Sequence, residues 1–247
     1  MTSIALIGPG RHGTAIARLF AAHGVDVTLF HHRPHKAEAA LAAVRAVARG
    51  AEVRTAATIR QAVTDRELVV LTTLWDAPQR SVIGELGDEL VGRILLDVSN
   101  PLDVTPAGII PRRPAQGSAG QFVATLLPTG AGHSKAFSNL PTAAIESDAD
   151  HDPLAVLPFA ADSACTADRV RPYLDVIGWQ PWLVGDISRS ADLEIGGRFN
   201  SAVGRWGRAR LDAAEMGRLA GPEAALAGQR AGSAFGAAAS GLSASQR

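Results

Sequence analysis

Three glycines near the start of this chain constrain its fold more than any other feature. Residues 4–14 read IALIGPGRHGT, so Gly8, Gly10 and Gly13 form a G-x-G-x-x-G turn directly behind a short apolar run. That run predicts a buried strand. Ile16, Leu19 and Phe20 recur at helical spacing between Gly13 and His23, so the glycines join a strand to a helix. Each glycine has a physical task there. Gly8 permits the tight turn, Gly10 lets backbone approach a diphosphate, and Gly13 lets the helix pack closely on the sheet. The free N–H groups and dipole at the helix start favour that anion. The alternative is an ordinary glycine turn; the flanking strand and helix, with a second strand beyond, favour the cradle.

The first half continues to alternate. VTLF (27–30) predicts a second strand, and a helix from about Pro34 to Ala48 follows, with Pro34 suited to its first turn. LVVLTT (68–73), ILLDVS (94–99) and HSKAF (133–137) predict further strands, the layout of a Rossmann-type α/β fold with a parallel sheet. From about Pro141 the texture changes. ESDADHDP (146–153) is a turn-rich acidic stretch and LAVLPFAAD (154–162) a strand. A helix capped by Thr166 runs to Ile177, and PWLVGD (181–186) is another strand. A long helical region from about Arg189 to Leu219 is interrupted in pattern by Gly196, Gly197 and Gly204. These readings divide the chain into a dinucleotide-binding domain (1–140), a smaller α/β domain (141–220) and an Ala/Gly/Ser-rich tail (221–247). Leu193, Ile195, Phe199, Val203 and Trp206 form an apolar face that either makes a homodimer or packs on the first domain.

At the end of the second strand an NAD site has an acid for the adenosine ribose. Here the sequence is HHRPHK, with no carboxylate until Glu38, and Asp26 lies at the far end of the strand. An arginine fork with nearby donors suits the 2′-phosphate of NADP, which a carboxylate would repel. His31, His32, Arg33 and Lys36 therefore read as a phosphate cluster. A solvated helix start would set cations against the helix dipole. A metal held by His31, His32 and His35 would lack a neighbouring carboxylate or thiolate, and no metal is expected.

Composition excludes several classes. Twenty-four basic residues balance twenty-four acidic ones, so net charge argues for neither nucleic acid nor an anionic membrane. One cysteine, Cys165, excludes an intrachain disulfide and points to a reducing, cytoplasmic setting. The first strand begins too early for a signal peptide, and no apolar run reaches membrane-span length. All but two of the basic residues are arginines; the lysines are Lys36 and Lys135.

Together, IALIGPGRHG, HHRPHK, LTTLW (71–75), LLDVSNPL (95–102), SKAFSNLP (134–141) and DVIGWQPWLVGDISRS (175–190) resemble the NADP oxidoreductases that use coenzyme F420, a deazaflavin. The resemblance implies NADP(H) as cofactor and coenzyme F420 as co-substrate. It places His31, His32, Arg33 and Lys36 on the 2′-phosphate and Thr73 and Leu74 along the cofactor. It puts Ser99, Asn100 and Pro101 near the nicotinamide ribose and Ala136 beside the nicotinamide. Trp75, Phe137, Ser138 and Asn139 fall on the acceptor side. Two departures stand out. Pro9 lacks an N–H where the family has one, and Arg11 and His12 are expected to reach the diphosphate in compensation. FSNLP differs from the usual Phe-Asn-Thr order.

Hydride transfer is mainly a positioning problem. A deazaflavin accepts hydride without a strong protein acid, whereas a ketone or imine needs one within hydrogen-bond reach. The sole tyrosine, Tyr173, has Ile177 four residues on, so no Tyr-x-x-x-Lys pair exists. His133 is the one catalytic candidate, with Asp97 as a second donor. No P-loop lysine, G-x-S-x-G elbow, H-E-x-x-H helix or cysteine pair appears. Three readings remain: hydride exchange between NADPH and a deazaflavin, NADPH reduction of a small ketone, imine or conjugated metabolite, and a non-catalytic NADP sensor.

Overall fold

The computed structural model describes residues 2–201 and 210–220. Its order is β1 (Ser3–Ile7), α1 (Arg11–Ala22), β2 (Asp26–Phe30), α2 (Pro34–Arg45), β3 (Val53–Thr55), α3 (Ile59–Val63), β4 (Leu68–Leu71), α4 (Ala77–Leu86) and β5 (Ile94–Asp97). A separate hairpin of β6 (Leu102–Thr105) and β7 (Gly108–Pro111) precedes α5 (Ala119–Ala124) and β8 (Gly132–Lys135). Then come α6 (Ala144–Ser147), β9 (Val156–Ala161), α7 (Ala164–Asp175), β10 (Gln180–Gly185) and α8 (Ala213–Ala220).

Eight strands form one sheet in the order β10-β9-β8-β5-β4-β1-β2-β3. β1 to β5 and β8 run parallel; β9 turns antiparallel to β8, and β10 runs parallel to β9. The sheet therefore continues through residue 140 into the region read as a smaller domain. The central strands carry the apolar runs IALI, LVVL and ILL because helices cover both faces of the sheet, and β5 closes on the buried Asp97. Phe20, Leu29, Val70 and Leu96 fill the core on one face, and Ile7, Val69, Leu71 and Phe122 fill it on the other.

Two local expectations need correction. Ser163, not Thr166, caps α7: its hydroxyl accepts from the Thr166 N–H at 3.1 Å, so Thr166 is already inside the first turn. The helix expected over 189–219 does not form as one element. Ile187–Asp192 is a 3-10 turn and residues 193–201 are irregular. Two glycines, Gly196 at φ +81 and Gly197, sit in this break. Leu193 and Phe199 are buried against Val156, Ala160, Trp182 and Met216, and Ile195 is half-buried. Val203, Trp206 and the tail from 221 lie outside the described residues.

Candidate functional site

The crevice sits at the carboxyl ends of the strands where the order reverses, β1 beside β4, the topological switch point of such sheets. There the chain forms a cleft of about 920 Å³. The glycines shape its floor in different ways. Gly8 has φ +83, donates its N–H to the Phe30 carbonyl at 2.8 Å, and would put a Cβ 2.8 Å from Thr73 Cγ2. Gly13 admits no side chain either, because a Cβ would lie 2.3 Å from Thr72 Oγ1. That hydroxyl bonds the Ile7 and Gly8 carbonyls at 2.9 and 2.8 Å, tying β4 to the turn. Gly10 differs: among the described residues, its two chain neighbours aside, nothing lies closer than 4.0 Å to a Cβ placed there. Protein packing does not require glycine at that position, but an approaching diphosphate does. No side chain caps α1, so its first N–H groups stay available to an anion. Thr73 Oγ1, in the cleft wall, is buried without a hydrogen-bond partner. The turn thus fits a dinucleotide.

His31, His32, Arg33 and Lys36 all line this same cleft. They surround the start of α2, which has no acid in its first turn and no side-chain cap. His31 Nδ1 accepts the Arg33 backbone N–H at 3.0 Å, which puts the proton of the neutral ring on Nε2. Partial burial, then the charges of His32, Lys36, Arg33 and His35, push its pKa down to about 4. The cluster is thus a set of cations and donors, the electrostatic complement of a phosphate. Among the described residues no three His, Cys, Asp or Glu side chains converge as a metal site.

Arg11 and His12 both line the cleft, and the His12 ring is bonded to the loop beyond β8. Its nitrogens meet Thr142 Oγ1 at 3.1 Å and the Phe137 carbonyl at 3.3 Å. Burial holds the ring neutral, so Nε2–H donates to Phe137 and Nδ1 accepts from Thr142. Leu74 is exposed on the cleft wall. Trp75 instead packs edge-on against Phe122, ring centroids 5.7 Å apart, in the core beneath.

The remaining expected residues come together beside the cleft without lining it. Ser99, Pro101 and Ala136 to Asn139 are buried, and Asn100 is half-buried. Asn100 Nδ2 donates to the Ser138 carbonyl at 2.8 Å, and its Oδ1 accepts the Ile195 N–H at 2.6 Å. Ser201 N and Oγ donate to the Asn139 carbonyl. Phe137 adopts φ +63, a sterically costly backbone for a bulky residue. His133 is fully buried on β8, and neither ring nitrogen has a partner. Burial pushes its pKa down to about 4 against the opposing pull of Asp97.

Sequence reasoning missed Thr72, Gln79, Thr142 and Glu194. It passed over Lys135 except as a rarity, and Asp97 except as a donor. Lys135 Nζ contacts Asp97 Oδ2 at 2.7 Å and Glu194 Oε1 at 3.4 Å, with none of these side chains more than 4% exposed. The scarcity of lysine in a chain that otherwise uses arginine was the available signal for this site.

Residues 3–101 match the family described as NADP oxidoreductase coenzyme F420-dependent. No curated protein matches the chain. Among solved structures, a hypothetical protein of Sinorhizobium meliloti is 24% identical with a TM-score of 0.70; the match covers 86% of this chain and 96% of that one. A protein of Arthrobacter sp. FB24, provisionally described as an F420-dependent NADP reductase, is 24% identical with a TM-score of 0.59 over 76% of this chain and 86% of its own. An imine reductase of Streptomyces aurantiacus is 26% identical with a TM-score of 0.52; the match covers 75% of this chain and 56% of that longer one. Residues 3–101 build the glycine turn and the walls that flank it, and over them the chain is similar to the coenzyme F420-dependent NADP oxidoreductase family.

Proposed function

We propose that the protein is an oxidoreductase that exchanges hydride between NADPH and a deazaflavin acceptor of the coenzyme F420 type. The carrying observation is the gathering of His31, His32, Arg33 and Lys36 in one cleft with Gly10 and the uncapped start of α1. The α1 N–H groups hold the diphosphate. The Arg33 fork, Lys36 and the His31 Nε2–H hold the 2′-phosphate that separates NADPH from NADH. Bound NADPH supplies the hydride; the chain supplies orientation and exclusion of water.

The acceptor assignment rests on what the cleft offers away from the phosphate cluster, where Leu74, Val104 and Thr142 form its walls. Both ring nitrogens of the nearby His12 are engaged, and Tyr173 is bonded to Glu67 at 3.0 Å on another part of the molecule. A deazaflavin suits such a cleft because it needs no strong acid beside the reacting carbon, whereas a ketone does.

The test mixes the protein with NADPH and oxidised coenzyme F420 and follows the deazaflavin absorbance. Bleaching with NADPH and not with NADH is the expected result. NADPH binding without bleaching would refute the deazaflavin acceptor and favour reduction of a small imine or ketone. NADPH oxidation by any acceptor would exclude a mere sensor.

A further inference from the structure

Asp97 and Lys135 are the last residues of β5 and β8 and stand opposite each other in the sheet register. The Lys135 ammonium has three protons and meets three acceptors: Asp97 Oδ2 and the Ser99 carbonyl, both at 2.7 Å, and Glu194 Oε1 at 3.4 Å. The second Asp97 oxygen accepts from Gln79 Nε2 at 3.0 Å and from the Ser99 N–H at 2.9 Å. The Glu194 carboxylate also accepts the Ala119 and Gly120 N–H groups, each at 3.0 Å. Packing around the lysine stem leaves no slack, since a Cβ on Gly120 would lie 3.1 Å from Lys135 Cδ.

Stability alone does not account for this network. Taking such charges out of water is costly, and well-packed apolar residues often serve as well or better. What the ions specify is position. The Ser99 carbonyl leads into Asn100 and Pro101, and from there into the hairpin whose Val104 lines the cleft. Lys135 leads into Phe137, whose carbonyl meets the His12 ring from the glycine turn. Glu194 precedes Ile195, whose N–H is held by Asn100, and Asn100 in turn holds Ser138. One ammonium thus sets the mutual height of three loops from distant parts of the chain.

We propose that Lys135 is a positioning residue whose ammonium, fixed by Asp97 and Glu194, holds these three loops at the nicotinamide end of the cleft. The inference rests on the NADPH reading above. Lys135 touches neither cofactor nor acceptor; it acts through the Ser99–Pro101 and Phe137–Asn139 backbones.

The test compares the wild type with a charge-free variant, Asp97→Asn/Lys135→Met/Glu194→Gln. The readouts are the melting temperature, affinity for adenosine 2′,5′-bisphosphate (which fills only the adenine end), the fluorescence of bound NADPH (which reports the dihydronicotinamide), and turnover with coenzyme F420. The expected variant melts near the wild type and binds the bisphosphate within about twofold, yet loses the NADPH fluorescence enhancement and about tenfold or more in turnover. A variant that melts normally and keeps both the fluorescence and the turnover would reduce the network to a structural element and overturn the proposal. If the triple variant does not fold, the isosteric Glu194→Gln carries the test. A partial loss of NADPH fluorescence with unchanged bisphosphate affinity supports the role, and wild-type values throughout refute it. A wild type that fails to bind NADPH would overturn the cofactor reading itself, a result that no comparison of variants could mimic. A wild type that binds NADPH but ignores coenzyme F420 would overturn only the acceptor, and the fluorescence comparison would still decide the role of Lys135.

Discussion

Arg33 caps the start of a helix, where its charge opposes the local dipole and an anion in the cleft would relieve that opposition. Replacing it with alanine is expected to weaken NADPH binding by about tenfold or more, because charge-assisted contacts to phosphate are lost, while NADH affinity stays unchanged by calorimetry. Equal losses for both cofactors would exclude the 2′-phosphate as its partner. His31 offers a second test. Partial burial and then its cationic neighbours hold it near pKa 4, and a bound phosphate would pull that value up. NADPH binding at about pH 5.5 should then take up a proton, seen as a binding enthalpy that depends on the ionisation enthalpy of the buffer. At this scale the sequence was informative where a residue's neighbours are its chain neighbours, as in HHRPHK. It was silent where they are not. His12 finds Thr142 at a distance of 130 residues, and no spacing rule announces such a pair.

The turn between β1 and α1 separates two glycines that the motif treats alike. Gly10→Ala should leave the melting temperature unchanged and weaken NADPH binding, because its Cβ would project into space free of protein atoms. Gly13→Ala should lower stability by about 1–3 kcal/mol, because its Cβ collides with Thr72, and Gly13→Ala/Thr72→Ala should recover part of that loss. Thermal melts with and without NADPH check both. The elements most legible in the sequence are those buried on both faces, such as LVVL and ILLD, whose apolar runs have one explanation. The β6–β7 hairpin escaped notice because Val104, Ile109 and Ile110 face solvent, so no burial pattern marks them. The helix expected over 189–219 failed where Gly196, at φ +81, and Gly197 break the chain, while Leu193, Phe199 and Met216 pack with Val156, Ala160 and Trp182 of β9 and β10.

Across the whole molecule, one sheet carries both the cofactor crevice and the buried charges beneath it. His133 lies inside that sheet as a neutral ring with its pKa near 4, while an unfolded chain would titrate it near 6.5. Between those values the folded state binds fewer protons than the unfolded one, so stability falls as pH drops through that window. Urea titrations at pH 7 and 5 should show the wild type losing about 2 kcal/mol more than His133→Leu does. Glu194 acts in the opposite sense. Burial raises its pKa despite Lys135 and the two N–H donors, so its contribution diminishes as pH rises above the ordinary carboxylate range. A Rossmann-type parallel sheet with a glycine turn could be anticipated from strand–helix alternation, but the charge network could not, since its members meet only after residues 97, 135 and 194 are folded together. The uneven use of basic residues has a practical side. Of the two lysines, Lys135 is sealed inside and Lys36 is exposed on the phosphate cluster. An amine-directed reagent would therefore find one side chain on the entire surface, at the mouth of the cofactor cleft. Acylation blocked by NADPH would footprint the site without any mutation, and a sensor chip coupled through that amine would obstruct the cleft it was meant to display.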